Sequence, residues 1–77
     1  GYSRRTRRVL QVARTLLERQ PEGIRPGAIN AHLRTENEPM EAWEVRGDLS
    51  WLERSGALTL DPATALWRDA PIARRSA

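Results

Sequence analysis

Apolar side chains recur at helical spacing in three stretches of this chain. In the first, apolar or small residues return every three or four positions between Ser3 and Gln20. Such spacing predicts an amphipathic helix over Ser3–Gln20 with one buried face, and Pro21 to Gly23 end it. The positions predicted to face inward are Thr6, Val9, Val12, Ala13, Leu16, Leu17 and Gln20.

A second, shorter helix is predicted from Pro26 to Arg34, because proline suits the first helical position. Its expected inner positions are Ala28, Ile29, His32 and Leu33. Between the two helices, Ile24 is expected to add one or two pairing residues to a sheet. The polar turn of residues 35–37 should place Glu36 or Asn37 near the N-terminus of the next helix.

The fold prediction is built on the segment Glu38–Leu60, whose pattern predicts a helix, a glycine stop and a strand. Pro39 is predicted to lie in the first helical turn. Gly56 should close the helix with a positive φ. The positions on one helical stripe, predicted to face the core, are Ala42, Val45, Leu49 and Leu52.

The segment after Gly56 predicts a β-hairpin. Two short extended runs, residues 58–60 and 65–68, flank the sequence Asp61-Pro62-Ala63-Thr64, and Asp-Pro initiates turns. Trp67 is expected in the core, where the hairpin folds onto the helices. The chain is therefore predicted to form one small α+β domain, residues 1–70, followed by a basic, disordered tail over residues 71–77.

The segment Val45–Leu58, VRGDLSWLERSGAL, resembles the winged helix-turn-helix family. In that family the pattern V-R-x-x-L-x-x-L-E-x-x-G-x-L recurs at the third helix and its exit. The resemblance covers residues 4–69 and implies three helices plus a short β-hairpin wing, in the order α-β-α-α-β-β. It also implies that the third helix enters the major groove of double-stranded DNA. A prokaryotic or phage transcriptional regulator is the function that this resemblance predicts.

Charge is unevenly distributed along the chain. All 13 basic residues are arginines, and the formal net charge is +3. Residues 1–34 are strongly basic, whereas residues 35–61 are acidic. We expect the N-terminal arginines to grip phosphate, although a solvated helix face remains an alternative. The arginines expected to bind phosphate are Arg4, Arg5, Arg7 and Arg8. Those expected to face solvent or a polyanion, away from the buried stripe, are Arg4, Arg7, Arg8 and Arg14.

With its apolar stripe inward, the third helix should present its other side to DNA. The residues predicted on that side are Met40, Trp43, Arg46, Gly47 and Ser50. Arg46 or Ser50 would reach base edges, while Gly47 would allow close backbone approach or pack against another element. Glu44 and Asp48 are unfavourable there, because a phosphate-binding surface should be basic.

A protein-interaction role is the alternative function. Exposed aromatic side chains often mark interfaces, and the third helix is both acidic and rich in tryptophan. A homodimer or another protein could then bind through Trp43 and Met40. Trp51 could instead cover the edge of the hairpin.

The sequence predicts no enzymatic chemistry. His32 is the only histidine and there is no cysteine, so no metal-ligand set is recognisable. No serine has a base at motif spacing, and no glycine-rich phosphate loop occurs. We therefore predict no catalytic residue, cofactor or metal. No apolar run has the length of a membrane span, so the expected localisation is cytoplasmic, without membrane contact.

Overall fold

The computed structural model describes residues 2–71, which form three helices and an antiparallel two-stranded hairpin. The elements are α1 (Arg4–Arg19), α2 (Pro26–Thr35), α3 (Ala42–Arg54), β1 (Leu58–Asp61) and β2 (Leu66–Asp69). This small α+β arrangement agrees with the predicted layout. Of the tail predicted to be disordered, only Pro71 lies within the described residues; residues 72–77 lie outside them.

Helix α1 begins where the sequence predicts. The Ser3 side chain caps it by accepting a hydrogen bond from the backbone N–H of Thr6 at 3.0 Å. The predicted inward face is buried at Thr6, Val9, Val12, Ala13 and Leu17. The prediction is also confirmed for Leu16, which is half-buried and packs against the core, but it was wrong for Gln20, which is exposed.

Helix α2 ends within the predicted polar turn of residues 35–37, but Asn37 has a different role from the one expected. Asn37 has a φ of 61°, which is the left-handed conformation. The Glu38 N–H donates to the Leu33 carbonyl at 2.8 Å, and the Asn37 N–H donates to the Arg34 carbonyl at 3.1 Å. This is the Schellman pattern. Asn37 therefore closes α2, and its predicted place at the start of α3 was wrong.

Helix α3 starts later than predicted. Glu41 is its N-cap, and the Glu44 carboxylate accepts the Glu41 backbone N–H at 3.0 Å. Pro39 thus precedes the helix, and Ala42, its first residue, is exposed; both predictions were wrong. The rest of the predicted stripe is confirmed, since Val45, Leu49 and Leu52 are all completely buried.

The exit from α3 matches the predicted glycine stop. Gly56 has a φ of 86°. The Ala57 N–H donates to the Leu52 carbonyl at 2.9 Å, and the Gly56 N–H donates to the Glu53 carbonyl at 3.1 Å. This second Schellman turn leads directly into β1.

The hairpin is tied to the connection between α1 and α2. Leu58 pairs with Asp69 and Asp61 pairs with Leu66 at the two ends of the register. Ile24 makes an antiparallel bridge with Trp67, through backbone bonds of 2.9 and 2.8 Å. The predicted sheet contact of Ile24 is thereby confirmed, and Trp67 is buried as expected.

One core joins all five elements. Helix α1 packs against α2, α3 and β2, and α2 packs against α3. The buried cluster comprises Val9, Val12, Ala13, Leu17, Ile24, Ile29, Leu33, Val45, Leu49, Leu52, Ala57, Leu58 and Trp67. Because α3 buries only one side in this cluster, its opposite side is left uncovered.

Candidate nucleic-acid interface

The uncovered side of α3 carries two large aromatic side chains. Trp43 is 71% exposed and Trp51 is 45% exposed. Arg46, Gly47, Ser50 and Arg54 are exposed on the same helix. We call the residues Trp43, Arg46, Gly47, Ser50, Trp51 and Arg54 the α3 face. Burial of Val45, Leu49 and Leu52 orients this face, since a helix that buries one stripe turns the other outward.

Gly47 lies in open space on the α3 face. A Cβ atom built on it would meet nothing within 4 Å. The alternative that Gly47 packs against another element was therefore wrong for the described part of the chain. A glycine within a helix lowers helix propensity by about 1 kcal/mol relative to alanine, and packing does not explain its presence.

Met40 does not belong to the α3 face. It precedes α3, is half-buried, and packs against the core. With Arg4, Arg5, Arg8, Leu33 and Glu38 it lines an open cleft of about 360 Å³. Its predicted outward orientation was wrong, because the delayed start of α3 removes Met40 from the helical register.

Asp48 is one of the two acids expected to be unfavourable beside DNA, yet it faces the protein interior. It is only 4% exposed. The Arg5 Nε and Nη2 atoms donate to its two carboxylate oxygens at 2.9 and 3.2 Å. The Thr6 hydroxyl donates to Oδ1 at 2.9 Å. The hydrogen bonds and negative charge of Asp48 raise the pKa of Arg5 further above its ordinary value, with a smaller contribution from Glu44.

Glu44 is also neutralised within the fold. Its Oε2 atom accepts a hydrogen bond from Arg5 Nη1 at 3.0 Å, while Oε1 caps the start of α3. Arg5 thus binds both of the acids that made α3 unfavourable for DNA in the sequence. The expected phosphate contact of Arg5 is correspondingly weakened, because its guanidinium already has two carboxylate partners.

A similar arrangement holds Arg8. Its Nη2 atom lies 2.8 Å from Glu38 Oε1 and 3.3 Å from Glu36 Oε1. The hydrogen bond to Glu38, followed by the charges of Glu38 and Glu36, raises the pKa of Arg8. Arg14 pairs with Asp69 at 3.2 Å. Arg8 and Arg14 are therefore paired with carboxylates within the fold, and Arg14 is also exposed, as expected.

Arg4 and Arg7 remain available at the start of α1. Both are exposed, and neither forms an ion pair with any residue between 2 and 71. The contact of Arg5 with Asp48 brings this end of α1 beside the middle of α3. Arg4 and Arg7 therefore lie at the end of α1 that contacts α3, whereas Arg19 lies at the opposite end of α1.

The hairpin turn carries an acid that is likewise paired. Asp61 Oδ1 accepts the backbone N–H of Ala63 at 2.8 Å. Asp61 Oδ2 lies 3.4 Å from Arg68 Nη2. The turn is short, with a left-handed Ala65 at a φ of 60°.

Two members of the α3 face were not among the predicted site residues. The Arg54 guanidinium lies 5.6 Å from the centre of the Trp51 ring, a cation–π distance. Trp51 is partly exposed and was expected to cover the hairpin edge. The regular spacing of Trp43, Gly47 and Trp51, each four residues after the last, is the signal that could have identified Trp51.

Two other kinds of site are absent from residues 2–71. Between positions 2 and 71, no three His, Cys, Asp or Glu side chains are grouped so as to hold a metal ion. No helix in that span combines the length and apolar character needed to cross a membrane.

Comparison of the chain with protein-family models, with curated proteins and with solved structures gives no match. The choice of the α3 face as the candidate site therefore depends on the geometry and charges of the described residues alone.

Proposed function

We propose that this chain is a DNA-binding winged-helix module, of the kind that regulates transcription in prokaryotes and phages, which presents the α3 face to DNA. The segment Val45–Leu58 supports the family, and the arrangement of three helices and a hairpin is compatible with it. In this proposal Arg4 and Arg7 contact backbone phosphate, while Arg46 and Ser50 contact base edges.

One observation carries this proposal: Glu44 and Asp48 are paired on the α1 side of α3, and its open side carries arginine. Asp48 is buried against Arg5, and Glu44 binds the same guanidinium. Arg46 and Arg54 remain exposed. Neutralising phosphates supplies most of the sequence-independent affinity for DNA, so a face with two exposed arginines suits a polyanion.

A protein partner is the second candidate function. The exposure of Trp43 favours it, since large exposed aromatic side chains mark interfaces. In that hypothesis an acidic α3 would bind a basic partner. The internal pairing of Asp48 and Glu44 removes most of the acidity on which this binding would depend, and we therefore favour DNA.

Binding to a mixed-sequence duplex, measured over a range of salt concentrations, tests the proposal. We expect affinity to fall steeply as salt increases. Changing Arg4 and Arg7 together to alanine should weaken binding to every sequence and reduce the salt slope by about 1 for each phosphate that is no longer neutralised. Arg46→Ala should also change the sequence preference.

Arg19→Ala is the matched control, because Arg19 is another exposed arginine of α1 at the end far from α3. It should leave both affinity and salt slope close to those of the unaltered protein. If no duplex binds at low salt, or if Arg46→Ala and Arg19→Ala behave alike, the α3 face is not the DNA-binding surface.

A further inference from the structure

We propose that Trp43 and Trp51 stack on unpaired bases, so that the α3 face binds DNA with exposed single-stranded nucleotides more tightly than continuous duplex. This inference rests on the proposed function, because it specifies the form of DNA that the same face takes. It is carried by the spacing, the exposure and the charge of the α3 face.

The spacing of the two tryptophans forms an open notch. Trp43, Gly47 and Trp51 occupy one row along α3, each four residues from the next. At a rise of about 1.5 Å per residue, the two tryptophan backbones lie about 12 Å apart along the helix axis. Gly47, midway between them, has no side chain and no neighbour within 4 Å of its Cβ position. The space between the two indoles is therefore open to a ligand.

The exposed chemistry of an indole suits the face of a base better than its edge. Reading a base pair in the major groove requires paired hydrogen-bond donors and acceptors, whereas tryptophan has one N–H donor and a large flat ring. Aromatic rings stack on bases regardless of sequence, and the faces of bases are accessible in single strands. With 71% of its surface exposed, Trp43 can stack without any rearrangement of the core.

The charge around the notch favours a DNA strand over a second copy of the chain. Arg46 and Arg54 flank the tryptophans, and Arg5 binds Glu44 and Asp48 on the other side of the helix. A symmetric dimer through this face would bring the arginines of two copies together, and like charges oppose association. A strand instead supplies phosphates to the arginines and bases to the rings.

Arg54 already shows that the Trp51 ring accepts a planar cation. Its guanidinium lies 5.6 Å from the ring centre. An incoming base can stack on the same indole, and Arg54 can then contact the adjacent phosphate. Trp51 and Arg54 therefore form one binding unit, and Trp43 forms the second on the other side of Gly47.

Fluorescence anisotropy with three labelled DNAs of equal length tests this inference: a single strand, a continuous duplex, and the same duplex with a short central bubble. We expect the bubble and the single strand to bind more tightly than the continuous duplex. Trp43→Ala and Trp51→Ala should each weaken binding to unpaired DNA by roughly 5- to 150-fold, the range expected when one stacking ring is removed. Binding to continuous duplex should change less.

Two further variants separate stacking from loss of bulk. Trp43→Phe keeps an aromatic ring and should retain most of the preference for unpaired DNA. Gly47→Leu places a side chain between the tryptophans and should reduce that preference, while its open surroundings leave the fold intact. Thermal unfolding of each variant confirms that these exposed changes preserve the structure.

The outcomes distinguish this inference from the proposed function. Equal binding of continuous duplex and bubble, with equal reductions in Trp43→Ala, overturns stacking and leaves duplex binding in place. Binding of none of the three DNAs overturns both. Binding to all three DNAs that is tighter for the unpaired forms and depends on both tryptophans supports both.

Discussion

Replacing Asp48 by asparagine tests the contact that orients α3 against α1. Asparagine keeps the shape of the side chain but removes its charge and presents an N–H₂ group to at least one of its donors. Asp48 currently accepts two bonds from Arg5 and one from the Thr6 hydroxyl. With only one amide oxygen remaining, the variant cannot satisfy all three.

The expected decrease in stability follows from the burial of this carboxylate. Hydrogen bonds to charged groups contribute about 1.5–3 kcal/mol each, and breaking a buried ion pair costs about 3–5 kcal/mol. The Arg5 side chain is 48% exposed, whereas that of Asp48 is 6% exposed, so water can resolvate the guanidinium. We therefore expect Asp48→Asn to lower the free energy of unfolding by about 2 kcal/mol. For a domain of this size, that lowers Tm by about 8–16 °C.

Thermal and urea unfolding followed by circular dichroism measure this effect. Asp69→Asn is the matched control, because Asp69 also pairs with an arginine, at 3.2 Å, but both side chains are at least 40% exposed. An exposed pair contributes about 0–1 kcal/mol, so this control should change Tm only slightly. Equal changes in the two variants would refute the claim that Asp48 is a buried structural acid.

Two further predictions concern the glycines and the pH dependence of the Arg5 contact. Gly23→Ala should destabilise the fold, because Gly23 has a φ of 135° and its Cβ would lie 2.6 Å from Leu66 Cβ. Gly47→Ala should instead raise the free energy of unfolding by up to about 1 kcal/mol, and opposite results in urea unfolding would contradict both assignments. Asp48 raises the pKa of Arg5 in the folded protein. The contribution of that shift to the free energy of unfolding is therefore fully present below the ordinary pKa of a guanidinium. It disappears only as pH rises through the still higher pKa of the folded protein. The Tm difference between Asp48→Asn and the unaltered protein should therefore stay constant between about pH 7 and pH 10, and a steady decrease would contradict this.

Local patterns in the sequence predicted much of this fold. Periodicity identified the buried positions Val45, Leu49 and Leu52, because helical spacing depends only on neighbouring residues. Gly56 was predictable for the same reason: a left-handed turn after a helix favours glycine. The Ile24 bridge and the hairpin also followed from short extended runs bounded by turn residues.

The errors arose where local chemistry was ambiguous or contacts were distant. Asparagine both caps helix N-termini and adopts left-handed turns, so the role of Asn37 could not be decided from its neighbours. The pairing of Arg5 with Asp48 spans 43 residues, and no local pattern specifies it. When that pairing is unknown, the sequence indicates an α3 that is too acidic to suit DNA and an Arg5 that is free to bind phosphate.

NMR titration of ¹⁵N-labelled protein with mixed-sequence DNA, duplex and bubble in parallel, tests the α3 face most directly. The three tryptophan indole N–H signals serve as internal reporters, because Trp43 and Trp51 are exposed while Trp67 is buried. We predict that DNA shifts the signals of Trp43 and Trp51 and the amide of Gly47, and leaves the Trp67 indole unchanged. Shifts confined to Trp67 and the hairpin, or no shift with either DNA, would contradict nucleic-acid binding by α3.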